Sequence, residues 1–164
     1  MEQKFATFEE LLVLVPEEIK MLIEGLKQLR ERPDFHPEEN CWIHVKIVTE
    51  RLITTGDIDL IIAGLFHDCG KLVMNKTNPK SGFPTAPGHD KFGAEKVIVH
   101  QEWVSEMGAD PEMVAEICEE HMRIKQIDEM KPAKQKAMRD LICFDKLCIF
   151  TKADDMLRPW NIEI

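Results

Sequence analysis

Residues 57–71 read Asp-Ile-Asp-Leu-Ile-Ile-Ala-Gly-Leu-Phe-His-Asp-Cys-Gly-Lys, and this stretch decides the fold class. Asp57 is an N-capping residue type, Leu60 to Phe66 form an apolar stretch, and Gly70 is a helix stop. The segment predicts a helix that delivers His67-Asp68 at its end. Upstream, Val45, Val48 and Leu52 keep helical spacing within Trp42 to Thr54, which is longer than a typical strand. Earlier still, Ile19, Leu22, Ile23, Leu26 and Leu29 recur at three and four, from Pro16 as first helical residue to a stop at Pro33. Thr7 and Glu10 have capping-box spacing ahead of another apolar run.

Downstream of Lys71, Leu72 to Gly88 contains Pro79, Pro84, Pro87, Gly82 and Gly88, and reads as a long loop of the kind that often carries function. Helix resumes at His89 and runs to about Gly108. Asp110-Pro111 caps and starts another helix reaching past His121. A last long helix spans about Pro132 to Leu157, closed by Pro159. With no repeats, no low complexity and no hairpin signal, the expectation is an all-α protein. Six or seven helices are expected, with no sheet beyond a stray two-residue bridge.

Length and charge narrow the function. A chain of 164 residues is one ordinary domain, and 44% apolar content is enough for a core. The longest uncharged apolar run, Leu11 to Val15, is far too short for a bilayer, and Glu2, Glu9 and Glu10 replace the basic start of an export signal. The expected location is the cytoplasm. A net charge of -9 disfavours duplex DNA and anionic membranes, which need clustered Lys and Arg, but leaves room for a small phosphorylated ligand. The 5 cysteines include no C-x-x-C pair, so they are expected to be reduced, packed thiols. The 9 methionines suggest an adaptable core, and Trp42, Trp103 and Trp160 read as packing residues rather than base-stacking platforms.

Histidine placement supplies the chemistry. Taken singly, each histidine has an ordinary structural or surface reading. As a set, His44, His67-Asp68, His89, His121 and Asp154 fall on five successive helices, with gaps of 23, 21, 32 and 33 residues. Short helices around one centre can each donate an inward ligand. Imidazole nitrogen with carboxylate oxygen suits divalent Mn, Fe, Ni, Co or Mg.

The motifs His36-Pro37-Glu38, Trp42-Ile43-His44, Leu65-Phe66-His67-Asp68-Cys69-Gly70-Lys71, Gly88-His89, Gly93-Ala94, His121 and Ala153-Asp154 with Arg158 occur in this order. In that order and spacing the chain resembles the HD-domain metal-dependent phosphohydrolases, and within them the C-terminal HD domain of bacterial tRNA nucleotidyltransferases. The resemblance implies a single HD domain over residues 1–164, with a core at about 33–159 and an N-terminal helical segment at 1–32, the metal site lying at the centre of the bundle. No nucleotidyltransferase head precedes it, which implies a stand-alone HD protein that does not add CCA to tRNA.

The same resemblance implies that His44, His67, Asp68 and Asp154 hold a first ion. His89 and His121 match the pair that binds a second ion where there are two, with Asp68 bridging. One carboxylate can reach two ions, and a metal pair would activate a water near neutral pH. Lys71, just past Gly70, is placed to meet a substrate phosphate, with the alternative of a helix-end cation. Arg158 and Arg123 are further substrate-binding candidates, with pairing to Asp155 as the alternative for Arg158. His36 either shapes the loop before the first ligand or touches substrate, and His100 belongs to no motif.

The expected function is divalent-metal hydrolysis of a phosphomonoester or a (cyclic) phosphodiester of a nucleotide or RNA end. HD-type di-iron oxygenases use a similar ligand set, and a non-catalytic metal-stabilised regulatory module is the other alternative. Cyclic-dinucleotide phosphodiesterases rank lower, because their Gly-Tyr-Pro signature is missing and the chain has no tyrosine.

Overall fold

Every residue from Leu60 to Phe66 is buried in helix α4 (Ile58–Phe66), so this helix is surrounded on all sides and forms the axis of the molecule. We describe residues 3–38 and 40–161 from a computed structural model. Before α4 come α1 (Phe8–Leu14), α2 (Glu17–Gly25) with a 3-10 turn at Leu26–Gln28, and α3 (Cys41–Ile53). After it come α5 (His89–Val99), α6 (Gln101–Glu106), α7 (Pro111–Glu120), a 3-10 segment at Arg123–Glu129, α8 (Pro132–Arg139) and α9 (Phe144–Asp154). Helices α3, α5, α7 and α9 all pack against α4. Among the described residues no helix is long and apolar enough to cross a membrane.

The starts follow the expected chemistry. Thr7 accepts the Glu10 amide at 3.1 Å while Glu10 reaches back to the Ala6 amide at 2.8 Å. Asp57 accepts the amides of Asp59 and Leu60, and Asp110 those of Glu112 and Met113. Pro16 is the N-cap of α2, so the helix starts at Glu17, one residue later than expected.

Three expectations need correction. The helix expected over His89 to Gly108 is two, broken at His100, whose backbone leaves the helical region (φ -104°, ψ 28°). The break lets Trp103 on α6 donate its indole N–H to the Leu14 carbonyl at 2.8 Å. The long last helix is also two, because Asp140 to Cys143 leave the helix and Glu116 accepts the Cys143 amide at 3.0 Å. That re-registration turns Leu147, Phe150, Ala153 and Asp154 inward. The loop at 72–88 holds a short antiparallel pair, β1 (Lys76–Thr77) and β2 (Pro84–Thr85), slightly more sheet than expected. A further isolated bridge joins Arg30 and Asn40.

Helix α5 approaches α4 unusually closely. A Cβ at Gly93 would lie 2.6 Å from the Phe66 carbonyl oxygen, on rigid helical backbone. Gly93→Ala is therefore expected to destabilise the protein by about 1–3 kcal/mol, the scale of overpacking. A urea melt at neutral pH with an unchanged midpoint would contradict this packing.

Candidate metal centre

Three helix C-termini point at one place. His67 and Asp68 follow directly from the end of α4, His121 caps α7, and Asp154 is the last residue of α9. The backbone carbonyls at a helix C-terminus carry partial negative charge, which attracts cations and disfavours carboxylates. Asp68 and Asp154, 2% and 5% exposed, therefore stand where only a cation makes them comfortable. His44 arrives from the inner face of α3, and His89 from the first residue of α5 after Gly88, whose φ of 84° suits glycine.

The donor atoms form two groups sharing Asp68. In the first, His44 Nε2 lies 2.8 Å from Asp154 Oδ1 and 3.5 Å from Asp68 Oδ2. His67 Nε2 lies 3.1 Å from Asp68 Oδ2 and 3.4 Å from Asp154 Oδ1. In the second, Asp68 Oδ1 is 3.2 Å from His89 Nε2 and 3.6 Å from His121 Nε2. Neighbouring ligands of one ion at roughly 2.0–2.2 Å stand roughly 3 Å apart, so both groups have the spacing of a coordination sphere.

Hydrogen bonding on the far side of each ring shows which nitrogen is offered. The Nδ1–H of His67 donates to Gly64 O at 2.8 Å, that of His89 to Ala86 O at 2.8 Å, and that of His121 to Cys118 O at 2.6 Å. His44 Nδ1–H donates to the Glu38 carboxylate at 3.1 Å. In the neutral ring each Nε2 then turns its lone pair to the centre. His67 Nε2 is buried with no hydrogen-bond partner. His89 and His121 bring their Nε2 atoms to 3.3 Å from each other, a spacing that a shared proton or a cation between them would hold. The residues fit divalent ions, and the orphaned His67 nitrogen is the plainest sign of it.

Charge and burial set the protonation states. Burial pushes the Asp68 and Asp154 carboxyls up, but His67 and Lys71 at the first, and Lys125 and His44 at the second, outweigh it and hold both well below the usual range. Burial pushes the His121 imidazole down, leaving it neutral and ready to ligate. Burial also pushes His67 down, yet the charge of Asp68 and the neighbouring Asp154 raise it to about 10. A proton would therefore compete with a bound cation at His67, and metal affinity is expected to rise with pH.

Glu38 accepts from two rings, His36 at 2.8 Å and His44 at 3.1 Å. Burial pushes its carboxyl up, but the His36 and His44 hydrogen bonds dominate and hold it at about 2. Because the folded value is depressed, its stabilising contribution exists above the ordinary 4.5 and is lost as the pH falls towards 2. Glu38→Ala is expected to weaken Mn binding by about 10–100-fold in a chelator competition, since the second partner of a ligating ring orients it. Its stability deficit relative to the parent should shrink in acid. A deficit independent of pH would contradict the role.

Lys71 is nearly enclosed, its ammonium 2.7 Å from Glu31 Oε1 and 3.5 Å from Asp68 Oδ2. This replaces the picture of a surface cation at a helix end. A cavity of about 390 Å³ opens beside Lys71, His36 and His89. Arg123 and Arg158 do not line it. Arg123 pairs with Glu120 at 3.5 Å, and Arg158, 85% exposed, pairs with Asp155 at 3.6 Å. His36 both braces Glu38 and lines the cavity, while His100 sits by Glu18 at 3.5 Å.

Glu31, Glu38 and Lys125 escaped the sequence reading of the site. Lys125, in the 3-10 segment after α7, reaches Asp154 Oδ2 at 2.8 Å. Only Glu38 left a signal, as the third residue of His36-Pro37-Glu38. The five cysteines are free thiols, four of them buried.

A buried set of imidazoles and carboxylates at the C-terminal ends of helices defines the class. The HD domain family model matches residues 41–155, most of the chain, and the chain belongs to that family. It is 27% identical over 111 residues to the multifunctional CCA protein of Acinetobacter baumannii, covering 67% of this chain and 26% of that protein. It is also 28% identical over 121 residues to the multifunctional CCA protein of Acinetobacter baylyi, covering 73% and 27%, respectively. The chain thus spans about a quarter of the length of these relatives. No solved structure matches it significantly.

Proposed function

We propose that the protein is a divalent-metal phosphohydrolase acting on a phosphomonoester or cyclic phosphodiester of a nucleotide or RNA end. The observation that carries this reading is Asp68, whose two carboxylate oxygens face two separate sets of imidazole Nε2 atoms. Divalent ions bound there would supply a water of lowered pKa and neutralise charge on a phosphoryl oxygen. His44, His67, Asp68 and Asp154 would hold one, and Asp68, His89 and His121 the other. Lys71 stands at the cavity wall to orient a phosphate, released from Glu31 as the anion arrives. In a chain of net charge -9, this local cation is what admits an anionic ligand.

Screening with Mn, Ni, Co and Mg against aryl phosphate, bis-aryl phosphate, nucleotides and 2′,3′-cyclic nucleotides tests the reading. Phosphate or phosphomonoester release under strictly anaerobic conditions is expected. Turnover that requires iron and dioxygen, with no hydrolysis, would assign the centre to an oxygenase instead. Metal binding with no turnover on any of these esters would leave a regulatory module.

A further inference from the structure

Phe35 and Phe83 are 55% and 39% exposed, and both line the cavity beside the metal centre. They come from separate segments, the turn after Pro33 and the end of the hairpin loop, yet one guanidinium joins them. Arg32 Cζ lies 5.1 Å from the Phe35 ring centre and 5.8 Å from that of Phe83. Its Nε–H donates to Asp34 at 2.7 Å, which ties the flat group in place. Large rings left in water at a cavity wall lose free energy unless something covers them.

We propose that Arg32, Phe35 and Phe83 form a ring-binding subsite that selects phosphate esters carrying a planar base, the nucleoside monophosphates. The phosphate end rests on the phosphohydrolase reading above; the ring end rests on these three residues alone. A site that holds a flat guanidinium against two phenyl rings suits another flat, polarisable group, and bases stack on both partners. An aliphatic chain would gain nothing from the guanidinium. Asn75, on the same cavity wall, offers an amide where a base has donor and acceptor edges. Lys71 and His89 line that cavity too, so a ligand with its ring on the phenylalanines has a cation and one imidazole of the second ligand set within the same space.

The test is saturation-transfer NMR of the full chain with adenosine 5′-monophosphate and adenosine 3′-monophosphate, with ribose 5-phosphate as the ringless control, in Mg buffer. Adenine protons should take up more saturation than ribose protons. Phe35→Ala and Phe83→Ala should raise the nucleotide Kd by roughly ten- to a hundredfold, the range measured for a lost stacking partner. Ribose phosphate binding should not change. Phe83→Leu, which keeps apolar bulk without the π face, should fall with the alanine variants. Equal affinity for nucleotide and ribose phosphate, no binding of either nucleotide, or unchanged Kd values in the variants, would overturn the subsite. Those results would leave the hydrolytic reading intact if aryl phosphate is still cleaved. Ring contacts without hydrolysis by any metal form would reject the hydrolytic reading and keep the subsite.

Discussion

Asp68→Ala is expected to abolish hydrolysis and metal retention together, the largest effect of any single change in this protein. Asp68 contributes an oxygen to each donor group, so its loss weakens both. The helices should survive, because the apolar packing around α4 is untouched. His121→Ala, by contrast, should cost only the second group and retain the first. Elemental analysis of the parent and both variants after Mn loading separates the cases, with circular dichroism confirming the fold. A metal-replete, active Asp68→Ala protein would remove the basis of the proposed chemistry.

The second large effect concerns Lys71. Lys71→Ala is expected to retain metal and lose turnover by about 2–4 kcal/mol, the scale of removing one oriented charge donor to a reacting oxyanion. The structure adds a cost that a surface cation would not carry. Burial pushes the Lys71 ammonium down, yet Asp68 and Glu31 hold it firmly protonated, and removing it strands Glu31 at 12% side-chain exposure. Losing one partner of a buried pair costs roughly 3–5 kcal/mol in the limit, and less here where water still reaches Glu31. The double variant Glu31→Gln/Lys71→Met should therefore recover stability while remaining slow. Recovery of rate along with stability would show that Lys71 acts only through the fold.

Much of the fold is legible in the sequence. Capping residues placed the starts of α1, α4 and α7, because a cap is a local hydrogen bond written in adjacent residues. The breaks at His100 and at Asp140 to Cys143 are not legible in the sequence, because the contacts that accompany them, Trp103 to Leu14 and Cys143 to Glu116, join residues distant in the chain. The site divides the same way. His44, His67, Asp68, His89, His121 and Asp154 were visible as types at intervals, whereas Lys125 and Glu31 come into contact only through tertiary packing. Phe35 and Phe83 carried no periodic signal at all, since both lie in irregular segments. Arg123 and Arg158 show the converse: nearness in sequence to His121 and Asp154 did not bring either guanidinium to the cavity.

The short hairpin of β1 and β2 is covalently bracketed by the centre itself, with Asp68 before it and His89 after it. Its two ends are therefore anchored, and changing the length between anchors costs little, well under about 1 kcal/mol for a doubling. Such a segment can be lengthened or trimmed at small cost while its anchoring residues keep their places. An altered interval would then reshape one wall of the cavity, the one that carries Asn75 and Phe83, without moving the ion-binding side chains.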